Sequence, residues 1–159
     1  MSSATRRWIE DTLTAVKDYF DRYLDAKIDV IANERQAQIP HIQHTNIGET
    51  KTMAFPRIEL LPDRTEHDYG FPNQPLTYPW LSHNLVVWVE YSSGSLESVR
   101  STLMRIVEAI NRITEDDDTY GGQIVDVRLG VEDYTPMMED QENKKMIQGV
   151  SIQLTCRTR

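Results

Sequence analysis

Four places in the 159-residue chain carry residue types that could do chemistry. The first is His41-Ile42-Gln43-His44, two imidazoles at a spacing used by metal sites. On a helix that gap brings both rings to one side. Pro40 and Thr45 favour extended chain instead, and along a strand the two rings point to opposite faces. A structural zinc ion also wants about four ligands, and no cysteine pair or third histidine lies nearby. The second place is Glu115-Asp116-Asp117-Asp118, which has the charge to attract a divalent cation. It lacks the alternate-residue spacing and closing glutamate of a calcium loop. It reads as a solvated helix end, set against a dipole that prefers cations there.

Cys156, the only cysteine, falls on the apolar side of an alternating segment, where a thiol packs as a small hydrophobe. Catalytic thiols need an electropositive, partly exposed setting. Gly121-Gly122 lacks the lysine and further glycines of a phosphate loop or dinucleotide fingerprint and reads as turn chemistry. Neither Gly-x-Ser-x-Gly nor His-Glu-x-x-His occurs. The expectation is therefore a protein with no catalytic residue, no metal and no cofactor. The enzymatic alternative is a small metal-dependent enzyme using His41, His44 and nearby carboxylates.

The elements that would position these residues follow from hydrophobic period. Ile9, Leu13, Val16, Phe20, Leu24, Ile28 and Ile31 trace one face of a long helix from about Thr5 into the early thirties. Ser2, Ser3 or Thr5 is expected to cap it, and Pro40 ends any remaining helix. A proline-led strand follows at Phe55–Leu60. The stretch 62–83, with Pro72, Pro75 and Pro79 among Tyr69, Phe71, Tyr78 and Trp80, reads as a long loop, functional rather than disordered.

Leu85–Tyr91 is apolar on both faces for most of its length, which predicts a central strand covered on two sides. Ser95 opens a second helix with Leu96, Val99, Leu103, Ile106, Val107 and Ile110 on one stripe. Two alternating strands close the chain, Val125–Glu132 and Val150–Arg157. The polar segment 133–145, with Met137 and Met138, forms a hairpin extension between them. The prediction is one α+β domain over 1–159, α-β-β-α-β-β, with a mainly antiparallel four-stranded sheet and both helices packed on it.

Composition bounds function. Apolar residues are 39% and charged residues 26% of the chain, ordinary globular usage. No apolar run approaches the roughly 20 residues that cross a bilayer, and the N-terminus lacks the apolar core of a signal peptide. With a lone cysteine, intracellular synthesis is the expectation. Net charge is −8, and ten acids against Arg128 alone lie between Thr114 and Asn143. Nucleic-acid binders cluster Lys and Arg, so gripping DNA is not expected of this chain.

Taken in order, an amphipathic helix, the proline-led entry Phe55-Pro56-Arg57-Ile58, the strand Leu85–Tyr91 and a helix from Ser95 form a pattern. The turn Thr119-Tyr120-Gly121-Gly122, the strand Ile124–Val131, a polar hairpin and the strand Val150–Cys156 complete it. This order resembles the tail terminator, or tail-to-head joining, proteins of long-tailed bacteriophages. The stretch 36–53 and the insertion 62–83 are longer than that pattern usually has. The resemblance implies a structural virion protein of the neck, assembled in the host cytoplasm into a homohexameric ring. Such a ring caps the tail-tube protein, ends tail polymerisation and meets the head-tail connector or stopper. DNA would pass through without specific binding, and no membrane is involved. A head-closure or adaptor protein is the neighbouring role. Phe71, Tyr78, Trp80, Met137 and Met138 are then candidate interface residues, the aromatic stretch equally readable as an arm on its own core. Glu115, Asp116, Asp117 and Asp118 are candidate channel-lining acids, or else a solubilising outer face.

Overall fold

A computed structural model describes residues 8–142 and 144–159. The order is α1 (Ile9–Arg35), β1 (His44–Ile47), β2 (Arg57–Phe71), β3 (Gln74–Ser93), α2 (Leu96–Asp116), β4 (Asp126–Tyr134), β5 (Met138–Asp140) and β6 (Lys145–Thr158). The fold is α+β, as the pattern predicts, with a mixed sheet of six strands rather than four. Its order is β1-β2-β3-β6-β4, with β5 also on β6. β1 runs parallel to β2, and the other pairings are antiparallel.

The helical stripes become the core. Leu13, Val16, Phe20, Leu24, Ile28 and Ile31 of α1 meet Val99, Leu103, Ile106 and Ile110 of α2 over Ile58, Leu60, Leu85, Val87, Val89, Ile152 and Leu154 of the sheet. Burying such a side chain is worth roughly 1.5–3 kcal/mol. The pairs Arg35–Glu108 and Arg112–Glu34 that join the helices are partly exposed, and such pairs bring about 1 kcal/mol or less. Apolar burial therefore decides where the helices sit. α1 starts later than expected, after Trp8 in an extended conformation without a side-chain cap; Ser2, Ser3 and Thr5 lie outside the described residues. It runs on through Asn33 and Glu34 until Gln36 turns left-handed at φ 50° and its N–H meets the Asn33 carbonyl. Ser95 caps α2 as predicted, accepting from the Ser98 N–H.

Three expectations are corrected. Residues 62–83 are not a loop. They continue the pairing of β2 and β3, with register shifts between Pro62 and Arg64 and between Asp68 and Gly70, from Pro62 opposite Leu85 to Phe71 opposite Gln74 around the turn Pro72-Asn73. Proline is tolerated because β1 flanks β2 only as far as Leu60 and β6 flanks β3 only from Leu81. Pro62 and Pro75 thus lie where a strand has a free edge, and Pro79 falls in the register shift between Asp68 and Gly70. The second correction concerns β3, which is central as predicted but carries helices on one face only. On its other face the Trp88 ring lies over Gly149, and its indole N–H donates to Glu90 at 2.6 Å. The third concerns β4, where a bulge between Leu129 and Glu132 breaks the alternation. Val131 is consequently exposed instead of facing the core.

The Trp88–Gly149 contact yields a stability test. A Cβ at position 149 would stand 2.3 Å from Trp88 Cζ2, so Gly149→Ala must displace the indole and its bond to Glu90. Thermal or urea unfolding should show a loss of about 1–3 kcal/mol, where Gly130→Ala, whose nearest neighbour is the Gln153 side chain at 3.3 Å, loses less.

Candidate functional site

The β2–β3 ladder outruns its neighbours. Thr158, near the end of β6, pairs with Leu81, so residues 68–80 project as two strands with both outer edges unpaired by the sheet. Four residues of strand, Asp68 to Phe71, reach roughly 13 Å at about 3.3 Å each. An isolated two-stranded hairpin is marginal in water. The sequence here is also unlike the rest of an acidic surface, with no Asp, Glu, Lys or Arg between Asp68 and Glu90. Tyr69, Phe71 and Tyr78 are 55%, 74% and 72% exposed. The hairpin tip is thus a neutral aromatic projection that its own subunit does not cover.

The root of the projection is fastened. Trp80 is half-buried, with the guanidinium carbons of Arg157 and Arg159 5.1 and 4.8 Å from its ring centroid, a cation–π arrangement. Arg157 is held in turn by Asp126 at 2.5 Å. Buried His83 meets the Thr65 hydroxyl at 2.8 Å and the Thr158 hydroxyl at 3.2 Å, one on each flanking strand. Of the predicted aromatic anchors, Phe71 and Tyr78 are presented outward and Trp80 is used internally. At the other hairpin, Met138 is exposed while Met137 packs partly against the core. Those two hairpins are separate, and the structure does not join their residues into one patch.

The acidic helix end is not four free carboxylates. Asp116 pairs with Lys27 at 2.7 Å. Asp117 accepts from the Thr119 N–H and hydroxyl and from the Gly121 N–H, and these bonds, the Thr119 hydroxyl first, hold its carboxyl below the usual range. The two left-handed glycines, φ 78° and 79°, let the chain fold back for these bonds. Glu115 and Asp118 remain exposed. Among the described residues no group of three or more His, Cys, Asp or Glu could hold a metal. Cys156 is buried, and burial pushes its thiol up to about 12.

Neither a family model nor a curated protein matches the sequence. Among solved structures, one similar chain is described as "Virion of native gene transfer agent (GTA) particle", with TM-score 0.36 and 10% identity, covering 86% of this chain and 92% of that one. Overlap at that level assigns neither a fold family nor a role.

A second apolar feature escaped the reading of one stripe per helix. Tyr19, Tyr23, Ala26 and Val30 recur at spacings of 4, 3 and 4 along α1, beside the buried stripe. Tyr19 is buried, stacked on Tyr120 at 4.2 Å, and its hydroxyl donates to the Ile113 carbonyl. Tyr23 and Val30 are each 44% exposed. With Lys27, Ile113, Asp116 and Asp117 they border a groove of about 420 Å³ between the helices. The signal was in the sequence, as a second apolar stripe beside the buried one on the same helix.

His41 supplies a pH prediction. Its Nε2 lies 2.7 Å from Asp29 Oδ1 and its Nδ1 3.9 Å from Asp25, while the Ile42 N–H donates to Asp25. The Asp29 hydrogen bond, then the two carboxylate charges, raise the imidazole above its ordinary value. A raised folded value contributes stability that is complete below about 6.5 and fades as pH rises through the higher folded value. Amide exchange at Ile42 should therefore be slowed more on the acid side of that titration, after correction for intrinsic rates. His41→Gln should abolish the pH dependence.

Proposed function

We propose that the chain is a structural component of a tailed-phage virion that works by assembling with copies of itself into a ring, as the tail terminator at the junction of tail and head. The observation that carries self-assembly is the tip Tyr69–Tyr78, neutral and with its three aromatics exposed, on a two-stranded ladder that would be marginal by itself. Exposed Tyr and Phe on such a projection are residue types that anchor interfaces. The sheet adds means of closure, since β1 at one side and β4 at the other have outer edges that no strand among the described residues pairs. A contact between two different surfaces closes into a ring when the rotation per subunit divides the circle.

The assignment to the tail end rests on the ordered resemblance in the sequence. A ring of six would cap the tube protein and present its far side to the connector, with shape rather than turnover as its output. Glu115 and Asp118 are the two acids left to face a channel, because Asp116 and Asp117 are committed within the subunit.

Native mass spectrometry of the purified chain, alone and with tail tubes, should give hexamers. A chain that stays monomeric and never binds tube ends contradicts the reading. Particles assembled without the protein should show overlong or headless tails, whereas filled heads that leak DNA would move the role to head closure.

A further inference from the structure

β1 and β2 are parallel neighbours, yet only the nine residues 48–56 join them. Parallel strands are ordinarily linked by a crossover of about a dozen residues or more, usually a helix. Here Ile47 lies beside Leu60 and His44 beside Arg57, so the chain must run back along the whole of β1 before β2 can start. It does so as a strap with neither helix nor strand. Ile58 and Leu60 face the helices, so the alternate residues Arg57 and Glu59 lie on the open face of the sheet, opposite Glu90 and Trp88 of β3. Between Thr50 and Phe55, among the described residues, the strap's hydrogen bonds to the sheet are two. The Thr50 N–H reaches the Glu59 carboxylate, and the Arg57 guanidinium donates to the Thr52 carbonyl. The Phe55 ring centroid lies 5.1 Å from the same guanidinium carbon. The strap is therefore fastened to a cluster of charges and not to a backbone ladder.

We propose that segment 48–56 is a proton-operated strap, closed over the open face of the sheet while the Arg57–Glu59–Glu90 cluster holds a proton and loosened when that proton leaves. The cluster sets two carboxylates, with side chains 7% and 15% exposed, against one guanidinium. Glu90 has the better share, taking Arg57 Nη2 at 2.9 Å and the Trp88 indole N–H at 2.6 Å. Glu59 stands 3.9 Å from Arg57 Nε, which is buried without a hydrogen-bond partner. With both acids ionised, an uncompensated negative charge is enclosed, and enclosing such a charge is costly. A proton on Glu59 makes the cluster neutral and leaves its carbonyl oxygen able to accept from Thr50. The charged groups around Glu59 are Arg57 on its own strand, Glu90 on β3 and Glu49 on the strap. From β1, uncharged Asn46 stands opposite Glu59 and His44 opposite Arg57. Loss of water raises the Glu59 carboxyl above its ordinary 4.5, more than Arg57 lowers it. Glu90 and Glu49 add to the rise, and the Thr50 N–H opposes it. A raised value in the closed form means that its stabilisation is complete below 4.5 and is lost as the pH rises through the higher value.

Amide hydrogen exchange at Thr50, corrected for intrinsic rates and followed across that titration, tests the strap. Protection should fall severalfold as the pH rises, while Val87 and Ile152 keep theirs. Glu59→Gln, a neutral side chain of the same shape that still accepts from Thr50, should keep the amide protected at every pH. Under mildly alkaline conditions trypsin should cut after exposed Lys51 in the parent, and severalfold more slowly in Glu59→Gln. His44→Gln should retain the parent's pH dependence. Protection at Thr50 that does not change with pH in the parent, or a pH dependence that survives in Glu59→Gln, overturns the proposal. So does a dependence that vanishes in His44→Gln, which would place the proton on the imidazole.

Discussion

The antiparallel ladder between β2 and β3 is the constraint on which the rest of the molecule depends. From Arg57 opposite Glu90 to Phe71 opposite Gln74 it is one continuous structure with two irregularities. In its first half Ile58, Leu60, Leu85, Val87 and Val89 face the helices and are fully enclosed. In its second half the ladder carries Phe71 at its end, and Tyr69 and Tyr78 in the irregularity between Asp68 and Gly70, beyond the last flanking strand. The core half is stabilised by burial within the subunit, and the projecting half borrows rigidity from it.

That division explains why the local clamps sit where they do. His83, reaching Thr65 on one side and Thr158 on the other, ties three strands at the point where three become two. Trp80, flanked by Arg157 and Arg159, fills the next position outward. Beyond Trp80 the Tyr69 ring stacks with His67 at 6.5 Å, while Phe71 and Tyr78 stay about three-quarters exposed. Polar pairing on the open face follows a similar logic near β1. Arg57 binds Glu90 at 2.9 Å and also donates to the Thr52 carbonyl, so the segment before β2 is laid against the sheet by one half-buried guanidinium.

Much of this was legible in the residues. The period of Leu13, Val16, Phe20, Leu24, Ile28 and Ile31 specified α1 and its buried face, and the alternation of Val150, Ile152, Leu154 and Cys156 specified the inner face of β6. What failed had definite physical reasons. Prolines at 62, 75 and 79 look like breakers because propensity assumes a regular ladder on each side, and here the first two occupy edges and the third a register shift. β1 was missed because four residues, His44–Ile47, gain their strand identity only from a parallel partner distant in sequence. The bulge at β4 moved Val131 outward, which an alternating pattern cannot register. The exposed stripe of Tyr23 and Val30 was hidden behind a stronger stripe on the same helix. The interface aromatics were named from composition, and only the ladder distinguishes outward Phe71 and Tyr78 from inward Trp80.

The central claim is that the hairpin tip is completed by another molecule and not by its own subunit. Amide hydrogen exchange read separately for residues 68–80 and for the buried strands, over a range of protein concentrations, addresses it directly. The account predicts tip amides that exchange almost freely in the dilute monomer and become protected as assemblies form, while Val87 and Ile152 stay protected throughout. Tip amides as protected in the dilute monomer as those of the core, or still unprotected in a fully formed assembly, would contradict it.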